Sequence, residues 1–403
     1  MLGTILFVGA GRNQRRAIER ARGLDVRVVA VDRNADAPAL PVADEAEVVD
    51  FSDVEAVTDV GRRHGVTGVM TVASDRAVPI VAAVAEALGL PGIGSDTAHV
   101  MTHKVAMRRR LAEHGVQQPR FAAVRTHAEA RAAAEAVGFP AVLKPADSSG
   151  QRGIFRLRSF DDLEAHLHAA LAASSSAEAI FERYHEGAEV NTLLVATRGE
   201  VHFVAACDRL RPNGIGFGVA LALVYPSTFF GDVLEEVERM AVAAVHALGV
   251  QDGIAYPQLL VADGGVMVVE VAARIPGGPM GEVAGFGTGI DLVEIAVRQA
   301  LGFDVPEELV QPRFQQPFAI SFLTARPGVL PTGKVRRVEG VMRAEAFPGV
   351  ARVETYIQPG ETIRPVQVDG DRRGYVIALG DTNLDALERA RAASRLVDVE
   401  VEA

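Results

Sequence analysis

The sequence predicts an α/β protein whose first part is a parallel sheet covered by helices and whose later parts mix strands and helices in α+β fashion. Three observations predict it. Residues 1–97 alternate Val- and Ile-rich runs with amphipathic stretches, as a parallel sheet with a helix after each strand requires. Hydrophobic residues make up 49% and charged residues 23%, the balance of a folded globular chain. A length of 403 residues exceeds what one core fills comfortably, so two or three domains are expected.

In chain order, the strand "TILFVGAG" leads to a helix over "NQRRAIERARG", then to "VRVVAVD", a helix near "VEAVTDVGRRHG", the strand "GVMTVAS" and the helix "AVPIVAAVAEALG". This unit, residues 1–97, is Rossmann-like in shape. "MTHKVAMRRRLAEHGV" reads as one helix closed by Gly115. From "RFAAVRT" to "EAIFERY" the order is strand, helix, strand, strand, helix, strand, within a compact unit over 98–185 that is expected to act as a lid. Residues 186–403 carry the strands "AEVNTLLVAT", "EVHFVAACD", "GIAYPQLLVA" and "GVMVVEVAAR", helices at "LEEVERMAVAAVHALG" and "IDLVEIAVRQALG", and a small terminal subdomain ending in a helix and a strand.

The balance of charge narrows the partners. With 41 Lys and Arg against 52 Asp and Glu, the formal charge is -11, which argues against a broad basic surface for nucleic acid. Aromatic residues at 5% leave little for base stacking, so small molecules are the expected partners. One cysteine, Cys207, excludes an internal disulfide and fits a reducing compartment. No run reaches the length of a membrane span, and "MLGTILFVGAG" reads as a core strand rather than a signal peptide. A cytoplasmic protein is the expectation.

Two stretches suggest a grip on phosphate. "GAGRNQ", Gly9 to Gln14, lies between a strand and a helix, with Asp32 closing the next strand, as in a dinucleotide fingerprint. Its third glycine is replaced by Gln14, which makes the signal weak, and a tight strand-to-helix turn is the plainer account. In "FPAVLKPADSSGQRGI" a strand ends on Lys144 and opens into Ser148, Ser149, Gly150, Gln151, Arg152 and Gly153. Such a loop presents backbone N–H groups to an anion, and an ammonium suits phosphate oxygens, although a hairpin with a solvated lysine has the same letters.

An ordered series surrounds this loop. Lys104 lies upstream near a helix start; "FERYHEGAEV" follows, with Glu182, Arg183, Tyr184 and Glu189; then come Gln258, Glu270 and Arg274 before paired glycines. Through this series the chain resembles the ATP-grasp superfamily along most of its length, and the "EVAARIPGG" stretch and C-terminal region look closest to the amino acid and dipeptide ligases. The resemblance implies ATP and Mg2+, or Mn2+ in its place, as cofactors. It implies that Lys104 and Lys144 contact the nucleotide phosphates under the loop of Ser148, Ser149, Gly150 and Gly153. It also implies adenine recognition at Glu182 with the neighbouring Arg183 and Tyr184, ribose recognition at Glu189, and metal binding by Gln258 and Glu270. Arg274 would face the acceptor carboxylate or acyl phosphate, with Arg209 as a second anion-binding candidate. Ala272 stands where many relatives carry an Asn ligand.

The expected activity is an ATP-dependent carboxylate-amine ligase working through an acyl phosphate, with small carboxylate and amine substrates and a homodimer as the habit of relatives. A carboxylase or purine-type ligase using bicarbonate or another small acid is the nearest alternative. From other classes come a nicotinamide-dependent oxidoreductase built on "GAGRNQ" and Asp32, and a nucleotide binder without chemistry.

Overall fold

The computed structural model describes residues 2–212 and 218–402. Short Val- and Ile-rich runs in the N-terminal part form a parallel sheet in the order Glu45–Val48, Val26–Asp32, Gly3–Val8, Gly68–Met70. The middle strand Gly3–Val8 is buried from Ile5 onward because helices cover both its faces. The helix following it, Arg15–Arg22, turns Ala17, Ile18 and Ala21 inward.

An eight-stranded antiparallel sheet forms the body of the molecule. Its order is Gly265–Ala272, Gly253–Ala262, Ala188–Thr197, Glu200–Leu210, Ala222–Tyr225, Phe318–Phe322, Gly374–Leu379, Val350–Thr355. Alternation along Ala188–Thr197 divides its side chains between two cores. Leu193 and Val195 face the N-terminal sheet, while Val190, Leu194 and Ala196 face the helix Asp232–Ala247. That helix buries Val237, Met240, Ala241, Ala244 and Val245, the three-and-four spacing of a single apolar stripe. The sheet reaches well past Pro317, since three of its strands come from the C-terminal region. The remaining C-terminal strands, Gly333–Glu339, Thr362–Ile363 and Asp398–Val401, make a separate small sheet.

Between these bodies a four-stranded antiparallel sheet runs in the order Phe121–Val124, Ala179–Arg183, Ala141–Pro145, Phe155–Leu157, backed by the helices His127–Val137 and Phe160–Ala172. Its element order is the one expected from sequence. The helix entering it differs from expectation: instead of one helix there are two, Ser95–Thr102 and Lys104–Glu113, broken at His103. His103 takes an extended conformation and its ring nitrogen accepts from the Ala106 N–H at 3.4 Å, so it caps the second helix. The break re-aims the chain and leaves Lys104 at a helix start.

Arg108, 1% exposed, fastens these parts together. Its Nε donates to Glu182 at 2.7 Å, and its Nη1 and Nη2 donate to the carbonyls of Val268 and Val269, each at 2.7 Å. One guanidinium thus joins the helix Lys104–Glu113 to the lid strand Ala179–Arg183 and to the edge strand Gly265–Ala272. Removing one partner of a buried ion pair strands the other, so Arg108→Ala should cost about 3–5 kcal/mol, read as a lower urea midpoint. An unchanged midpoint would show that the fastening is not there.

Candidate active site

The register of two strands builds the first part of the site. Val142 pairs directly with Glu182, and Lys144, two residues on, shares that face. Lys144 Nζ therefore lies 2.6 Å from the Glu182 carboxylate, which also holds Arg108. Burial alone would raise the Glu182 carboxyl, but Arg108 and Lys144 together hold it down at about 2. Glu182 is 3% exposed, so this charge balance is settled almost without water.

The loop beyond Lys144 is held from the other side. The Lys104 backbone N–H donates to the Ala146 carbonyl at 2.7 Å, and its Nζ donates to the Ser148 carbonyl at 2.7 Å. The same ammonium is 3.1 Å from Glu270. At Gly153, with φ 71°, a Cβ would press on Pro145 and Ala173 at 2.8 Å, so only glycine lets the loop turn back so closely. Further along, the Gly150 carbonyl accepts from the Asp369 N–H at 3.3 Å, tying the loop to the C-terminal region.

Lys104, Ser148, Ser149, Gly150, Arg209, Gln258, Glu270 and Arg274 all line one cavity of about 510 Å³. Lys144, Gly153, Glu182, Arg183, Tyr184 and Glu189 stand outside its wall. Within the protein, Arg183 donates to the Phe139 carbonyl, the Tyr184 ring lies 3.9 Å beneath Arg156, and Glu189 pairs with Arg209 and, at 3.1 Å, with Arg211. The Asp32 carboxylate accepts from the Ala10 and Asn34 N–H groups, so it braces the "GAGRNQ" turn.

Four arginines line the cavity, Arg12, Arg209, Arg274 and Arg372, and the last three each have a carboxylate. Arg274 Nη2 is 2.9 Å from Asp75, Arg209 contacts Glu189, and Arg372 is 2.9 Å from Asp369. Burial opposes the charge on Arg274, but Asp75 outweighs it and holds its pKa above the usual value. Arg372 goes the other way: burial lowers it, and Arg209 nearby adds to that in spite of Asp369. Asp75, Asn191, Tyr256 and Arg372 line the cavity and were not singled out in the sequence. Asp75 had one available signal, its place just past the carboxyl end of a parallel strand, where open sheets bind ligands.

The donor set fits a hard divalent cation. Gln258 pairs in register with Glu270 on one side and with Asn191 on the other, so the three share a face of adjacent strands. Asn191 is 2% exposed, and its side-chain oxygen is buried without a hydrogen-bond partner. That spare oxygen stands on the strand beyond Gln258, whereas Ala272 brings none. Magnesium takes oxygen ligands and few protein carboxylates, completing its shell with phosphates.

A lysine-clamped loop, a carboxylate-bearing strand face and a guanidinium-walled cavity together define an ATP-dependent ligase. An ATP-grasp domain model matches residues 109–277, an ATP-grasp N-terminal domain matches 18–92, and an L-amino acid ligase C-terminal domain 2 matches 324–402. The formate-dependent phosphoribosylglycinamide formyltransferase of Wolinella succinogenes is 30% identical over 274 residues, 67% of this chain and 69% of that protein. The chain belongs to the ATP-grasp family, whose members form C–N bonds with ATP and Mg2+. Among solved structures, the L-amino acid ligase from Bacillus licheniformis superposes with a TM-score of 0.84 at 22% identity, covering 100% of this chain and 99% of that one. The biotin carboxylase domain of the Hydrogenobacter thermophilus 2-oxoglutarate carboxylase, in complex with MgADP, ADP and bicarbonate, gives 0.77 at 20% identity over 99% of this chain and 90% of that one. This family assignment sets aside the nicotinamide-dependent alternative.

Two expectations follow. The Glu182 carboxyl is depressed from 4.5 to about 2, so its stabilisation, about 3 kcal/mol, is complete above about pH 4.5 and lost as pH falls toward about 2. Urea midpoints of the wild-type protein should fall through that window, and Glu182→Gln should flatten the slope; parallel curves would contradict the assignment. Asn191→Leu should weaken the Mg2+-dependent part of ADP binding by roughly tenfold in calorimetry while leaving metal-free ADP binding unchanged. Equal Mg2+ dependence in the two proteins would remove Asn191 from the site.

Proposed function

We propose that the protein joins an amino acid or similar small carboxylate to an amine through an acyl phosphate, releasing ADP and phosphate. The observation that carries this reading is that Arg274 and Glu270, the latter paired with Lys104, line one cavity large enough for two small substrates next to the lysine-held loop. The L-amino acid ligase domain match over 324–402 supports it, because that region supplies Arg372 and Asp369 to the same wall. A single buried thiol, Cys207, supports a reducing, cytoplasmic setting.

In this reading the substrate carboxylate, oriented by the Arg274 guanidinium, attacks the γ-phosphorus and ADP leaves. The amine nitrogen then attacks the acyl carbon, the C–O bond to phosphate breaks, and the amine proton passes to phosphate or solvent. Lys104 and the loop of Ser148 to Gly150 neutralise and align the phosphates, with Lys144 and Glu182 behind them. Glu270 and Gln258, with Asn191, would hold a magnesium ion that neutralises phosphate charge. Closing the loop keeps water from the acyl phosphate. No side chain has to act as a nucleophile, and Cys207 is unsuited to the task, buried with its thiol pushed well above its usual range.

A second reading takes formate or bicarbonate as the acid, and the formyltransferase relative at 30% identity favours it. Hydroxylamine separates the two, because it traps an acyl phosphate as a hydroxamate whatever the natural amine. Hydroxamate should form with ATP, Mg2+ and one or more amino acids, and Glu270→Ala should lower it by about 100-fold or more. Trapping with formate alone would move the assignment to the second reading, and ADP release that needs no acid would end the first.

A further inference from the structure

Beyond the cavity described above lies a second chamber of about 440 Å³. The two share Arg12, Asn13, Pro276, Gly278, Tyr356 and Tyr375, so they meet at one junction. Arg12 and Asn13 belong to the "GAGRNQ" turn, whose role the nucleotide site does not explain. At the junction the Arg12 guanidinium lies 4.1 Å over the Tyr356 ring.

The chamber combines an apolar lining with excess positive charge. Ala17, Val72, Ile290 and Leu292 contribute the apolar part. Five arginines line it, Arg12, Arg16, Arg20, Arg313 and Arg352, against three carboxylates, Glu282, Asp291 and Glu354. Those carboxylates are taken: Glu354 pairs with Arg16 at 3.2 Å, Asp291 with Arg20 and Glu282 with Arg352. Among the described residues no carboxylate pairs with Arg12 or with Arg313, whose guanidinium donates to the Gly289 carbonyl. Both of these unpaired cations are solvent-exposed; Arg12 lines both spaces and Arg313 only the second.

We infer that the amine substrate is an elongated molecule with an apolar middle and an anionic far end, and that this far end enters the second chamber. The inference rests on the ligase reading above. Phosphates occupy the side of the reacting carbonyl toward Lys104 and Glu270, so the amine has to arrive from the other side, through the space that leads to Arg12. A free guanidinium beside apolar walls favours a carboxylate or phosphate. A short amine would reach Arg12, and a longer one Arg313.

Calorimetry on the full chain with a non-hydrolysable ATP analogue and Mg2+ tests this directly. The probes are γ-aminobutyrate and ε-aminocaproate, with butylamine and hexylamine as their uncharged counterparts and aminoethyl phosphate as the phosphate-ended arm. An anionic end should tighten binding about tenfold, the worth of one charge-assisted hydrogen bond. Arg12→Met should remove the advantage of γ-aminobutyrate, and Arg313→Met that of ε-aminocaproate; tighter binding of aminoethyl phosphate than of γ-aminobutyrate would identify the far end as phosphate. Equal affinity for charged and uncharged amines at both lengths, or an advantage surviving in the double variant, would overturn the inference. Neither arginine carries an ion pair, so both variants should fold, as unchanged thermal midpoints would verify. Hydroxamate trapping by the wild-type protein decides the ligase reading separately, while the affinities decide the chamber whichever way trapping goes.

Discussion

The carboxylate of Glu182, held between Arg108 and Lys144, is the contact on which the arrangement of the site depends. Its three members come from the helix Lys104–Glu113, from the strand Ala141–Pro145, and from the neighbouring strand Ala179–Arg183. Arg108 extends the link to the carbonyls of Val268 and Val269, just before Glu270, so the positions of Lys144 and Glu270 are tied through one guanidinium. Such charges attract strongly where water is scarce, and for the same reason none can be removed alone without stranding the others.

Around the cavity a related rule operates, with a different outcome. Arg274, Arg209 and Arg372 each have a carboxylate of their own, which keeps a buried cation tolerable before any substrate arrives. An incoming carboxylate therefore competes with Asp75 or Asp369 rather than meeting a bare charge. In the proposed reaction that competition would restrain affinity for the acid and favour ligands that bring more negative charge than these partners, as a developing acyl phosphate would.

Much of the fold was legible, because Val- and Ile-rich runs alternating with amphipathic stretches have few other ways to bury themselves. The spacing from Glu270 to Arg274, and Lys104 at a helix start, were also visible locally. What could not be read was register. Asn191 shares the face of Gln258 and Glu270 because it lies opposite Gln258, and Lys144 turns to Glu182 because Val142 pairs with that residue. Arg372 enters through a strand far along the chain that joins the main sheet. The break at His103 escaped for another reason: histidine is a less common cap than serine or aspartate, and "MTHKVAMRRRLAEHGV" has helical periodicity on both sides of it.

The bond from the Asp369 N–H to the Gly150 carbonyl has a further consequence. Asp369 is also the partner of Arg372, so the phosphate-covering loop and the far wall of the acceptor cavity hang on the same short helical turn, Asp369–Asp371. Whatever disturbs one loosens the seat of the other. In the proposed ligase a disturbance at one wall of the cavity would therefore reach the opposite loop through a single backbone hydrogen bond.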